Sequence, residues 1–280
     1  MATSLSPANP APDSQDKPIV FDDVAIAFDE NLVLDGISFT LARGETKVLL
    51  GVAGTGKSTV LKLALGLMKP DRGHIHVLGQ DVTQMEEEEL YELRRQLGMV
   101  FQESALFDSL TVRENVAYRL MEEKVADEEI ERRVREALRF VELERTINMF
   151  PAELSGGMRR RVAIARAIVN HPEVLLYDSP TGGLDPVTST TIIELVVKQR
   201  DVSHTSALLV THRLQDAFTM ATHYFDTESN QMRQLPPGPK GPGVNQHTTF
   251  LILREGKVIF DGNAPELAHS SDEYIREYIS

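Results

Sequence analysis

Gly51-Val52-Ala53-Gly54-Thr55-Gly56-Lys57-Ser58 sets glycines, a lysine and a serine in the spacing G-x-x-x-x-G-K-S/T. Between a strand and a helix, that spacing can cradle a polyphosphate. Glycines let the backbone curl until its N–H groups converge on phosphate oxygens. The helix that follows, with Thr59 in its first turn, offers the positive end of its dipole to the same anion. Lys57 has the reach to meet the β and γ phosphates of ATP, and the Ser58 hydroxyl can ligate Mg²⁺. Val174-Leu175-Leu176-Tyr177-Asp178 adds an apolar strand ending in a carboxylate, where a second acidic group can hold the same ion through water. The bland alternative, a glycine-rich turn that only links two elements, is disfavoured by the strand–loop–helix setting.

Elements on both sides must hold these groups in place. Ile19-Val20-Phe21, Val24 to Phe28, Val33-Leu34 and Ile37-Ser38-Phe39 alternate apolar and polar residues between turn signals and predict short antiparallel strands. Residues 45–50 form a buried strand that runs into the glycine-rich loop. From Lys57, apolar residues Val60, Leu61, Ala64, Leu65 and Met68 recur at helical spacing until Pro70-Asp71-Arg72-Gly73. Residues 85–152 are charged and read as a helical insert. Helix 156–170, strand 174–177, helix 186–200, strand 207–211 and helix 214–222 then resume an α/β alternation that implies parallel strands with helices on both faces. Residues 226–248, with Pro236-Pro237-Gly238-Pro239 and Gly241-Pro242-Gly243, can bury little and read as an exposed, mobile loop, either a tolerated insertion or a partner contact. A hairpin at 250–260 follows.

The bulk composition narrows the classes. The chain has 280 residues, 41% hydrophobic and 25% charged, as in ordinary globular proteins. A net charge of −13 argues against nucleic acid as a ligand, because phosphate backbones are bound with Lys and Arg. With no cysteine, disulfides and thiolate metal sites are excluded, which fits the cytosol. No apolar run approaches the ~18 residues needed to span a bilayer. Residues 1–18 lack the basic start and apolar stretch of a signal peptide and read as a disordered tail before one domain over 19–280. Any membrane role is expected to come through a partner.

Other motifs carry a resemblance to a family. Leu154-Ser155-Gly156-Gly157-Met158 heads a helix about a hundred residues after the glycine-rich loop and about twenty before Asp178. With it, the chain from Val20 onward, apart from 226–248, resembles an ATP-binding-cassette (ABC) ATPase subunit. The resemblance implies an α/β P-loop NTPase cassette with a RecA-like core, an antiparallel β subdomain and an inserted helical subdomain. It also implies roles. Gln102 resembles the glutamine that touches Mg²⁺, Asp185 in Gly183-Leu184-Asp185 the D-loop, and His212 in Val210-Thr211-His212 the switch histidine at the γ phosphate. Phe28 stands where the family stacks an aromatic ring on adenine, although a strand phenylalanine can equally be core. Two chains would sandwich two ATP molecules head to tail, the P-loop of one facing Ser155, Gly156 and Gly157 of the other. A membrane permease would dock a short helix beside Gln102, leaving the chain peripheral on the cytoplasmic face of the inner membrane. Phe101 to Val112, Glu114 to Tyr118, Gly157 to Arg161 and Gly183 to Ser189 are similar to Mla-type phospholipid transporters, implying a lipid cargo and a lipid-binding subunit. The ATP-binding subunit of a different transporter, such as a lipoprotein or drug exporter, is the alternative. A soluble ABC protein acting on ribosomes or DNA would show tandem cassettes, a coiled coil or basic patches, and none is found.

One position departs from the family. Where a glutamate normally follows the strand aspartate, this chain has Ser179. A serine hydroxyl can hold a water but cannot take its proton at neutral pH, and losing a general base typically costs about 10²–10⁴-fold in rate. Two readings stay open: a slow ATPase in which His212 and the phosphate clamp supply residual catalysis, or a clamp gated by ATP binding alone.

Overall fold

The computed structural model describes residues 16–238 and 243–279. Most of the stretch read as an N-terminal tail therefore lies outside the described residues. In chain order the core elements are β1 (Ile19–Phe28), β2 (Asn31–Leu41), β3 (Thr46–Leu50), α1 (Lys57–Ala64), β4 (Arg72–Val77), β5 (Gln80–Asp81), α2 (Glu87–Arg94) and β6 (Leu97–Val100). The helices α3 (Val112–Glu122), α4 (Asp127–Phe140) and α5 (Gly156–Ile168) follow. Then come β7 (Val174–Asp178), α6 (Pro186–Ser203), β8 (Ser206–Val210), α7 (Leu214–Thr222), β9 (His223–Asp226) and β10 (Gln231–Gln234). The chain closes with β11 (Thr248–Arg254), β12 (Lys257–Asn263), α8 (Ala264–Ala268) and α9 (Glu273–Ile279).

The main sheet has the order β12-β11-β3-β8-β7-β6, parallel except for the edge hairpin that adds β12. Its inner strands are apolar on both faces, as helix-covered parallel strands must be. Val48 and Leu50 of β3, Leu175 and Tyr177 of β7, and Leu209 of β8 point to the side covered by α3, α4, α5 and α6. Their neighbours Leu49, Val174, Leu176 and Leu208 face α1 and the antiparallel sheet β2-β1-β4-β5. The period-two alternation of strand side chains thus divides one apolar run between two cores. The glycine-rich loop emerges between them.

Two segments differ from their sequence reading. Residues 85–152 are not helical throughout, because Leu97-Gly98-Met99-Val100 forms β6 and pairs in parallel with β7. Four apolar residues after a highly charged helix give too short a run to register as a strand by periodicity. The bundle of α3, α4 and α5 begins only after it. Residues 226–248 likewise contain structure: β9 and β10 pair antiparallel, and Met232 donates its N–H to Glu194 of α6 (3.1 Å) while its side chain packs on the core. Polar and Pro/Gly-rich flanks hid a two-stranded element that is stable only because a helix backs it. The terminal helices α8 and α9 were not assigned from sequence at all.

Candidate nucleotide site

The parallel strands β3, β8, β7 and β6 lie side by side, and each ends at one cleft. Open parallel sheets place ligands at the carboxyl ends of their strands. β3 delivers the loop 51–56, β7 delivers Asp178 and Ser179, β8 delivers Thr211 and His212, and β6 delivers Phe101 and Gln102. The cleft has a volume of about 500 Å³ and is lined by Phe28, Ala53, Gly54, Gly56, Lys57, Ser58, Thr59, Gln102, Ser179 and His212, among others. That volume lies within the range of small-molecule sites, about 300–1,000 Å³.

Gly56 shapes the loop. It caps α1 with φ +88°, a left-handed conformation, and a Cβ there would stand 2.7 Å from Leu34 Cδ2 on β2. Only glycine allows both the turn and the close approach. No side chain caps α1, so its first N–H groups face the cleft side as anion donors. Lys57 is buried and folds back on its own loop, donating to Gly51 O (2.8 Å), Val52 O (2.6 Å) and Thr55 Oγ1 (3.3 Å). Burial lowers the pKa of its ammonium, while the charge of Asp178 opposes the shift. Gly51, Val52 and Thr55 do not line this cleft; Val52 and Thr55 border an adjoining recess next to Arg254 and Tyr274.

Ser58 Oγ donates to Asp178 Oδ1 at 3.1 Å across 120 residues of sequence. Two of the three expected cation ligands therefore meet, and with the third, the Gln102 side chain, they offer oxygen donors of the kind Mg²⁺ prefers. Ser179 is 8% exposed and has φ +46° directly before Pro180. A non-glycine residue in that conformation costs about 1–2 kcal/mol. Its N–H is tied to Val210 O (2.9 Å), which holds the strained turn against β8. Among the described residues that line the cleft none is a carboxylate, and the carboxylate of the preceding Asp178 is engaged by Ser58.

Ser155, Gly156, Gly157 and Asp185 do not line this cleft. Ser155 caps α5, its hydroxyl accepting from Met158 N–H (3.2 Å). Asp185 caps α6, accepting from the Val187 and Thr188 N–H groups, both at 3.0 Å. Hydrogen bonds from the Thr188 hydroxyl and backbone lower the pKa of that carboxyl.

Four further residues touch this machinery without having been picked out from sequence. Arg160 of α5 is buried and bonds the carbonyls of Phe101, Ser179 and Gly182. Its signal was present: it shares a helical face with the buried Ile164 and Ile168, an apolar stripe that should exclude a charge. Arg166, two turns on, donates to Ala105 O (2.6 Å) and Ser104 O (2.8 Å), holding two consecutive left-handed residues of the loop after Gln102. Tyr278 of α9 accepts a hydrogen bond from Gly51 N–H at 3.0 Å, bracing the start of the phosphate loop. Asp216 of α7 accepts from the Thr181 hydroxyl and pairs with Arg213, joining the turn after β7 to the loop after His212. Tyr278 and Asp216 follow no spacing that sequence reading could use.

Comparison with known proteins agrees with this architecture. The model of the ABC transporter family matches residues 34–182. The chloroplastic protein TRIGALACTOSYLDIACYLGLYCEROL 3 of Arabidopsis thaliana is 37% identical over 265 residues, covering 91% of this chain and 71% of the relative. The probable ribonucleotide transport ATP-binding protein mkl of Mycobacterium tuberculosis is 39% identical over 195 residues, covering 69% of this chain and 54% of the relative. A methionine import ATP-binding protein MetN of Brucella abortus is 36% identical over 256 residues, covering 89% and 69%. Among solved structures, the dimeric post-hydrolysis state of the ATP-binding cassette MJ0796 bound to ADP and Pi superposes with a TM-score of 0.71 at 28% identity, covering 88% of this chain and 98% of that one. No helix among the described residues is long and apolar enough to cross a membrane. Loop, strand ends and cleft together, the chain belongs to the ABC transporter family as an ATP-binding cassette with an ABC ATPase domain.

Proposed function

We propose that this chain energises a lipid transporter by closing on a second copy of itself around ATP, hydrolysing it slowly and reopening. The observation that carries the reading is the single cleft in which Phe28, Lys57, Ser58, Gln102, Ser179 and His212 converge, with Ser58 and Asp178 in hydrogen-bond contact. Phe28 is 40% exposed at the end of β1, available to stack on an adenine. Loop amides and Lys57 hold the β and γ phosphates. Ser58, Asp178 and Gln102 would hold Mg²⁺, which when bound supplies positive charge against the triphosphate. His212 hydrogen-bonds the γ phosphate, and Ser179 orients a water without accepting its proton. Ser155, Gly156 and Gly157, outside their own chain's cleft, cap the γ phosphate held by the partner copy.

A lipid cargo is favoured by the similarity to the TRIGALACTOSYLDIACYLGLYCEROL 3 protein over most of the chain and by the stretches 101–118, 157–161 and 183–189, whose resemblance is to Mla-type phospholipid transporters. The relatives mkl and MetN carry other cargoes in their names. A groove beside Gln102 supports the docking of a permease helix: Phe107 and Tyr118, tilted against each other with ring centroids 4.7 Å apart, border it with the exposed Leu67 and Phe101. A lipid-binding subunit would complete the transporter, with this chain on the cytoplasmic face of the membrane. The test is co-purification with the permease and measurement of ATP turnover with and without phospholipid vesicles. Turnover stimulated by phospholipid and not by methionine or ribonucleotide is expected; stimulation by one of the latter alone would replace the lipid reading.

Ser179 favours a second reading, in which the chain binds ATP and closes but does not turn over. Phosphate release by the unaltered chain distinguishes the two.

A further inference from the structure

Arg160 is 5% exposed, one turn into the helix headed by Ser155, Gly156 and Gly157. Its Nη1 donates to Phe101 O (3.1 Å) and Ser179 O (3.4 Å), and its Nη2 to Gly182 O (3.3 Å). Those carbonyls belong to two loops: the one that carries Gln102, and the β7–α6 connection, which starts at Ser179 and runs through Gly182 to Asp185. Two of them already accept backbone hydrogen bonds, Phe101 O from Ser104 N–H (3.0 Å) and Ser179 O from Gly182 N–H (2.9 Å). The guanidinium is therefore not there to rescue orphaned acceptors. It also contributes little as a stabiliser, because a buried charge hydrogen-bonded to carbonyls is costly to desolvate, a cost that the nearby charge of Glu103 only partly opposes, and its Nε is buried with no partner among the described residues. What it does accomplish is geometric. The Gln102 side chain lies against Gly182, so close that a Cβ added there would stand 3.4 Å from Gln102 Cγ and Nε2. One planar fork thus spans the backbone beside Gln102, the peptide under its amide and the carbonyl of Ser179. Lysine, a single point of donation, cannot span all three.

We propose that Arg160 is a positioning residue that locks Gln102 and Ser179 into one register and ties that register to α5. Movement of the α5 N-terminus against a partner copy then reaches the hydrolytic side of the cleft within its own chain. With no carboxylate at 179, turnover depends on where the Ser179 hydroxyl and the Gln102 amide hold a water, so this lock matters more here than where a base is present. The inference rests on the ATP-hydrolysing reading.

The test compares full-length Arg160→Met and Arg160→Lys with the parent. For Arg160→Met, kcat falls about 10- to 100-fold, the cost of displacing aligned groups by an ångström, while KM for ATP changes less than about threefold because the phosphate loop is untouched. Melting temperature holds or rises, Arg160→Lys recovers part of the rate, and faster amide exchange is confined to residues 101–105 and 179–184. A kcat for Arg160→Met within about twofold of the parent would overturn the proposal. So would exchange that rises equally in the phosphate loop, which would make Arg160 a packing residue only. If the parent itself released no phosphate, the hydrolysis reading would fall, and local against spread exchange would still decide the role of Arg160.

Discussion

The N-termini of α1 and α5 both head helices with glycine and serine, yet the chain prepares them in opposite ways. At α1 the cap is Gly56, no side chain turns back on the helix, and Lys57, Ser58 and Asp178 gather around the amides. At α5 the Ser155 hydroxyl caps its own helix, no cation stands in the first turn before Arg159, and the motif lies away from the cleft. The glycines after Ser155 sharpen the contrast. A Cβ on Gly157 would stand 2.4 Å from Thr188 Cγ2, so packing against α6 within the chain accounts for that glycine. A Cβ on Gly156 would meet nothing nearer than 3.8 Å. Among the described residues nothing requires glycine at 156, which fits the proposal that a partner copy's nucleotide approaches there. On the function proposed above, the site at α1 is built within one chain and the site at α5 is completed by a second copy.

The largest effect is expected where the contrast meets the chemistry. Ser179→Glu, which restores a carboxylate beside the α1 site, should raise kcat by about 100-fold or more, the usual worth of a general base; steady-state phosphate release measures it, and a rate equal to the parent's refutes the reading of position 179. Lys57→Ala removes the charged donor at α1 and should weaken ATP binding about 10- to 100-fold, as charge-assisted hydrogen bonds of 1.5–3 kcal/mol imply; titration with labelled ATP reads it, and unchanged affinity would remove the basis for the phosphate site.

Gly156→Asp should act on the other side of the comparison. A carboxylate placed where a γ phosphate must arrive repels it, so turnover should fall about tenfold or more while single-chain ATP affinity stays within about twofold. Equal loss of affinity would mean that α5 serves its own chain's cleft. The smallest effect is expected at Tyr278→Phe. It removes one neutral hydrogen bond to Gly51, worth about 0.5–1.5 kcal/mol, and should weaken ATP binding a few-fold at most by calorimetry. No change in affinity would make α9 a bystander to the phosphate loop.

These contrasts also show what could be read in the residues and what could not. Gly51 to Ser58, Asp178 and the apolar strands beside them were legible because their spacing is set locally, by one loop and by strand runs buried on both faces. The helices from 156 to 222 were legible for the same reason. β6 was not, since four residues are too few to display a period, and the β9–β10 hairpin was not, since its stability is lent by α6. Arg160 was visible only as a charge on an apolar stripe, and the bond from Gly51 to Tyr278 spans 227 residues with no pattern at all. Contacts made across the fold leave no spacing to find. The emptiness around Gly156 is likewise a property of the folded chain and cannot be read from the letters LSGG.

The claim that the second site is completed by a second copy is tested most directly by sedimentation of the unaltered chain. If Ser179 slows hydrolysis as proposed, ATP with Mg²⁺ should hold the closed state long enough to observe. The mass should double on adding ATP with Mg²⁺, return to one chain when the ion is chelated, and fail to double for Gly156→Asp. A chain that stays monomeric at saturating ATP, or that dimerises equally without it, would contradict the account.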